Sequence, residues 1–330
     1  MNRVTDRPRL LRRLALGLGA LAAAAAALWW WRLPPRPLDR AAAGALYAAP
    51  LPPPAGPLAV FHLGHSLVGP DMPAMLEALA PPGHSHAAQI GWGTTLRAHW
   101  QHPDPPLPGF ETAGLAPRFA HAGPAIDAGG HDALVLTEMV ELRAALRWHD
   151  SPAYLARWAA RARAARPDIR IYLYETWHPL DDPAGWLERL DADLPALWEG
   201  ELLFGALARD PARRPIHLIP AGQVMAALVR RIEGGGAVPG LARREDLFAR
   251  TAEGTQDTIH MSEAGAYLVA LTHYAVLYQR DPRGLPARLA LAGRGGDGTA
   301  GAPSPEAAQL MQEVVWDVVR RLPRTGVPPG

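Results

Sequence analysis

The chain has 330 residues, 48% of them hydrophobic, and a formal net charge of +1, so it can bury a sizeable core and its charge balance points to no nucleic acid. All 33 basic residues are arginine, which excludes a Ser-Lys dyad, a lysine Schiff base and a phosphate-loop lysine. There is no cysteine, which removes disulfides, thiolate metal sites, a cysteine nucleophile and a lipidated N-terminal cysteine.

Arg3, Arg7, Arg9, Arg12 and Arg13 precede LALGLGALAAAAAALWWW, residues 14–31, a run without charge or proline. As a helix it would be about 27 Å long, close to the hydrocarbon thickness of a bilayer. Arginines before it and Trp29 to Trp31 after it predict a single-pass anchor with the N-terminus inside and the body in the periplasm of a bacterial-type envelope. The alanine run also offers small-residue cleavage sites, so secretion after signal removal is the alternative; both export the body. Residues 32–57 hold Pro34, Pro35, Pro37, Pro50 and Pro52 to Pro54 and read as a semi-rigid spacer that lifts the domain off the membrane.

The stretch Leu58 to Ser66, LAVFHLGHS, reads as a strand buried on both faces that stops abruptly at Gly64, His65 and Ser66. Pro70 and Asp71 then open the helical pattern PAMLEALA. Strand, tight turn and helix put the Ser66 hydroxyl at the carboxyl end of a first strand beside a helix N-terminus, where ligands bind in open α/β sheets and backbone N–H groups favour an anion. Without a base elsewhere, Ser66 would be read as a helix cap.

A second short strand is expected at Ala87 to Gly91, followed by the glycine-bearing segment GWGTTLRAHW. Residues 101–130, rich in Pro and Gly, are expected to loop over the sheet edge. Strands follow at His131 to Glu138, Arg170 to Thr176 and Ile216 to Pro220. Between and after them come a helix at Ser151 to Ala165 with Tyr154, Leu155 and Trp158 inward, a mostly helical Pro183 to Leu207, and a helix at Gln223 to Glu233. Alternating strands and helices predict right-handed crossovers and a five-stranded parallel sheet.

Asp257 and His260 lie three residues apart before an amphipathic helix whose core face is Tyr267, Leu268, Leu271, Tyr274, Ala275 and Tyr278. One short turn can then set the carboxylate on imidazole Nδ1 and leave Nε2 free to take a proton from a hydroxyl. The tail, Ser304 to Leu322, repeats apolar residues at helical spacing and is expected to pack back on the domain.

Three blocks now stand in order: Gly64-His65-Ser66-Leu67, Gly91 to Trp100, and Asp257-Thr258-Ile259-His260. Together they resemble the SGNH hydrolases, the GDSL-type esterases and lipases, over roughly residues 58–285. The resemblance implies a three-layer α/β/α sandwich (SGNH/flavodoxin-like) around that sheet, with Ser66, Asp257 and His260 as catalytic residues. It also implies an oxyanion hole from the backbone of Ser66 and Gly93, with Gly91 as fallback. The chain departs from the family at the block whose Asn donates to the oxyanion, since its only Asn is Asn2. Glu138 or Thr137 stands near that place, and His65 replaces the acidic or amide residue usual before the serine. Glu138 is expected to support the site by accepting hydrogen bonds from the Gly93 to Leu96 backbone or from His99, with Thr94 adding a donor; direct donation by a protonated Glu138 is the alternative. The expected organisation is an anchor at 1–31, a spacer at 32–57, the hydrolase-like domain at 58–285 and a loop with a packing helix at 286–330. The expected activity is hydrolysis of acyl or acetyl esters, carbohydrate esters included, with no cofactor; a silent SGNH-like domain that binds glycan or supports an envelope assembly is the alternative.

Other patterns carry less. His84 and His86 share a strand face, but no carboxylate cluster accompanies them, so no metal site is expected. Gly293 to Gly298, GRGGDG, follows no strand and reads as loop rather than phosphate cradle. Trp92, Trp100, Trp177 and His178 fall at or just past strand ends, where they would either stack on a sugar ring or pack in the core.

Overall fold

The computed structural model describes residues 35–101, 118–291 and 301–330. Contacts divide the chain into Met1–Arg36 and Pro37–Gly330, and every element below belongs to the second unit. The anchor expected at 14–31 and the 293–298 loop lie outside the described residues; among the described ones no helix is long and apolar enough to cross a membrane.

One parallel sheet runs in the order β2-β1-β3-β4-β5, with β1 at Ala59–Gly64, β2 at Ser85–Ile90, β3 at Ala133–Leu136, β4 at Arg170–Glu175 and β5 at His217–Pro220. Leu63 on β1 stands opposite Gln89 of β2 on one side and Leu136 of β3 on the other. The chain therefore reverses direction across the sheet at β1 and β3, which opens a crevice beyond their carboxyl ends.

Alternate strand residues feed two separate cores. Val60, Val135, Tyr172, Tyr174 and Ile219 point to one, and Phe61, Leu63, Leu134, Leu136, Ile171 and Leu173 to the other. Short helix α1 (Arg40–Ala45) precedes the sheet. The first core is closed by α2 (Asp71–Leu79) and by later helices of the chain. The second is closed by α3 (Leu96–Gln101), α4 (Ala122–Asp127), α5 (Leu142–Trp148) and α6 (Ser151–Ala165). α7 (Trp186–Asp193) passes without a break through a π-helical stretch, Leu194–Leu203, into α8 (Phe204–Leu207). The helices on the first face are completed by α9 (Ala221–Arg231), α10 (Glu263–Tyr278) and α11 (Pro305–Arg321).

Several expectations need correction. The segment from Pro37 onward is no spacer: α1 is capped by Asp39, the Tyr47 hydroxyl donates to Ile216 O at 2.6 Å, and Leu51 N–H donates to Gly326 O. Its prolines flank the apolar run AAAGALY instead of interrupting it, so the run is free to fold and bury Tyr47. β2 begins at Ser85, two residues early, and the stretch taken as loop holds α4, with Phe119 bridged to Ala88; residues 102–117 lie outside the described residues. α10 is not amphipathic. It is buried all round from Gly265 to Tyr278 because α11 covers its second face, with Gln312 donating to the Tyr267 hydroxyl at 2.9 Å.

Candidate active site

Ser66 lies just past β1, and its turn is held from three sides. Val68 N–H donates to His65 O at 2.9 Å, the Tyr174 hydroxyl of β4 donates to Leu67 O at 3.1 Å, and His65 Nε2–H donates to Glu138 O at 2.8 Å. His65 is fully buried, and burial pushes its pKa down to about 4. It is thus a neutral imidazole, whose Nδ1 accepts from Leu67 N–H at 3.4 Å. Gly64 is needed for close approach, since a Cβ there would collide with the Thr137 and Val68 side chains.

His260 and Asp257 come from β7 (Gln256–Met261), antiparallel to β6 (Phe248–Arg250). Phe248 pairs with Met261 and Arg250 with Gln256, so a two-residue step on β6 faces a five-residue step on β7. The surplus residues bulge outward. Within the bulge Asp257 Oδ1 accepts from the Ile259 and His260 N–H groups, each at 2.8 Å. Its Oδ2 lies 2.9 Å from His260 Nδ1, and His260 Nε2 lies 3.1 Å from Ser66 Oγ. The structure brings Ser66 to a His260 that lies 194 positions away in sequence.

With Nδ1–H donating to Asp257, the acceptor lone pair of Nε2 faces the serine hydroxyl. Partial burial pushes the Asp257 carboxyl up, but the His260 and Ile259 N–H groups and the imidazole more than offset it and hold it below the usual carboxylate range. The site is open: the His260 and Asp257 side chains are 49% and 27% exposed.

The glycine segment follows β2. Gly91 N–H donates to Gly64 O at 3.0 Å, so this fallback oxyanion donor is already committed. The Thr94 hydroxyl donates to Trp92 O at 3.3 Å and its N–H to Gly91 O, so Thr94 adds no donor to the site. Gly93 differs. It adopts φ +59°, a Cβ on it would meet nothing within 4 Å, and among the described residues neither its N–H nor that of Ser66 donates a hydrogen bond. Those two groups remain as candidate oxyanion donors.

Glu138, just past β3, is fully buried. Its Oε1 accepts from Leu96 N–H at 3.2 Å and Met139 N–H at 2.8 Å, while its backbone oxygen receives His65. One residue therefore ties the glycine segment to the turn that carries Ser66. Burial raises its pKa to about 7, against the Met139 N–H, the Ser151 hydroxyl and the Leu96 N–H. His99 does not serve Glu138: its Nε2–H donates to Gly64 O at 2.8 Å and its Nδ1 accepts from Gln89 Nε2 at 2.9 Å, while Gln89 Oε1 takes Ala122 N–H. This chain fixes the carboxyl end of β1 from behind.

The β7 bulge has two supports, of which only Trp177, an aromatic just past a strand end, carried a sequence signal. The Trp177 indole N–H donates to Ile259 O at 2.8 Å, and Leu180 N–H donates to Thr258 O at 2.9 Å. Trp177 is 1% exposed, His178 is buried with its Nε2 on Trp186 O, and Trp100 packs edge-on against Trp158. Of the four aromatics at strand ends, Trp92 is the exposed one, at 63%. His84 Nδ1 pairs with the Tyr278 hydroxyl and His86 Nδ1 with Glu77, and among the described residues no cluster of three His, Asp or Glu could hold a metal.

No protein-family profile matches the chain, and no curated protein matches it. A solved structure that resembles it is a DUF4886 family protein from Bacteroides uniformis, with a TM-score of 0.51 and 14% identity, covering 79% of this chain and 94% of that one. The likeness is one of fold: an α/β architecture with a five-stranded parallel sheet flanked by helices.

Proposed function

We propose that the protein is a serine esterase of the SGNH type. The observation that carries this reading is the continuous line Asp257 Oδ2, His260 Nδ1, His260 Nε2, Ser66 Oγ, with gaps of 2.9 and 3.1 Å. Ser66 Oγ adds to the ester carbonyl carbon as its proton passes to His260 Nε2, and Asp257 holds the imidazolium through Nδ1–H. The tetrahedral oxyanion is held by the Ser66 and Gly93 N–H groups. Collapse breaks the bond to the alcohol, which leaves with the proton from His260; water then repeats the sequence and frees the acid and Ser66.

The missing Asn donor is offset in this reading by rigidity. Glu138 fixes the glycine segment through Leu96 and the nucleophile turn through His65, so the two remaining N–H groups need no reorganisation. The arginines before residues 14–31 and the tryptophans ending that run support an anchored, envelope-facing enzyme acting on acyl or acetyl esters, carbohydrate esters included. The test is turnover of p-nitrophenyl acetate with a Ser66→Ala control. Activity abolished by the substitution supports the reading, and activity that survives it removes Ser66 as nucleophile.

A further inference from the structure

Trp92 and Trp148 are the exposed large hydrophobic side chains among the described residues, each 63% exposed. Trp148 already has the Arg147 guanidinium 4.6 Å above its ring. Trp92 is different in setting. It lies between Gly91, whose N–H is bonded to the carbonyl oxygen two residues before Ser66, and Gly93, the candidate oxyanion donor.

The backbone that carries this indole is stiff. Gly91 N–H on Gly64 O at 3.0 Å, Thr94 N–H on Gly91 O at 3.4 Å and the Thr94 hydroxyl on Trp92 O at 3.3 Å fix the turn, and Thr94 itself is 4% exposed. Gly93 presents no side chain, and the space over it is open. A large apolar ring is therefore held in water on a rigid turn beside the nucleophile. Trp158, Trp177, Trp186 and Trp198, by contrast, are buried.

A single flat face suits one kind of ligand. A long acyl chain gains most from an enclosed apolar channel that covers it on all sides. A pyranose ring has an apolar face of C–H groups and a rim of hydroxyls, so it can lie on an indole with one side covered and its edge in water. The open setting of His260 and Asp257 leaves room for such a ring at the site.

We infer that Trp92 is the platform for the sugar ring of the substrate, and that the site takes O-acylated pyranosides. This rests on the esterase reading above for its chemistry, but the stacking itself does not. The test compares the wild-type protein with Trp92→Ala and Trp92→Phe on methyl 6-O-acetyl-glucopyranoside and on ethyl acetate, which share one acetyl ester and differ in the ring. The loss of kcat/KM in Trp92→Ala is expected to be about 10- to 100-fold greater for the pyranoside than for ethyl acetate, to lie mainly in KM, and to be largely rescued by Phe. Equal losses on both esters would mean that Trp92 only shapes the glycine turn, and would overturn the inference while leaving the esterase. A binding arm separates the two claims: calorimetric titration of the same pyranoside into Ser66→Ala, with and without Trp92→Ala. Binding that depends on Trp92 sustains the platform even if the wild type hydrolyses nothing, and binding indifferent to Trp92 overturns it.

Discussion

Replacing Glu138 by Gln should make the protein relatively more stable at high pH and less active at the same time. The carboxyl is fully buried, and burial raises its pKa from 4.5 to about 7. A group whose pKa is higher folded than unfolded stabilises the fold while it is protonated and loses that contribution as pH rises through the folded value. Between pH 5 and pH 8 wild-type Glu138 should therefore withdraw about 2.5 kcal/mol of folding stability, which a neutral Gln does not. Gln keeps an oxygen for Leu96 and Met139 N–H, but gives up charge assistance worth about 1 kcal/mol, and this loosens the glycine segment. Turnover should fall by about 10-fold, and further in Glu138→Ala, where two buried N–H groups lose their acceptor. Urea unfolding at pH 5 and pH 8, set beside ester turnover, reads both effects. A stability difference between Gln variant and wild type that does not change with pH would refute the buried carboxyl. Turnover that rises in Glu138→Gln would instead favour direct donation to the oxyanion. Turnover undiminished in both Gln and Ala variants would remove Glu138 from the site.

Other outcomes follow from the same geometry. Ser66→Ala and His260→Ala should each remove nearly all ester turnover, with the double variant little worse and Asp257→Ala leaving more, as steady-state rates will show. Trp177→Phe removes the N–H on Ile259 O and keeps the ring, so kcat should fall about 10-fold with KM steady; an unchanged kcat would exclude Trp177 as a positioning residue for His260. His65, His84, His217 and His273 are held neutral by burial with pKa values of about 4, so each contributes stability above pH 6.5 that is lost as pH falls, about 2 kcal/mol by pH 5. Glu138 and Glu175, raised by burial, act in the opposite sense and return part of it, leaving a net loss of a few kcal/mol in urea unfolding at pH 5 against pH 7. Greater stability at pH 5 would contradict this. A C-terminal alkaline phosphatase fusion should be active and resist carbonate extraction if residues 14–31 anchor the chain.

The parallel sheet was legible because its strands are buried on both faces and read as nearly continuous apolar runs, as LAVFHL, broken only by His62, and ALVL do. The Asp257 and His260 spacing was legible as a local turn, and the turn is there as a bulge on β7. What joins that bulge to Ser66 was not, because it depends on register: Trp177 reaches Ile259 O only after β4 and β7 are placed. The roles of Gly91 and Thr94 were misjudged for a similar reason. Composition shows which N–H groups a glycine segment offers, whereas the cross-strand bond from Gly91 to Gly64 decides which remain free. α10 was expected to be amphipathic, but Thr272 and His273, which lie off its expected core face, are buried too: Thr272 Oγ1 donates to Leu268 O and His273 Nδ1–H to Val269 O within their own helix.

The central claim is that the Ser66 hydroxyl is an activated nucleophile. The direct measurement is labelling of the purified protein with a fluorophosphonate probe, with the adduct located by peptide mass spectrometry. The account predicts a single adduct on Ser66, formed rapidly in the wild type and lost in His260→Ala. A wild-type protein that stays unlabelled, or that is labelled as fast without His260, would contradict it.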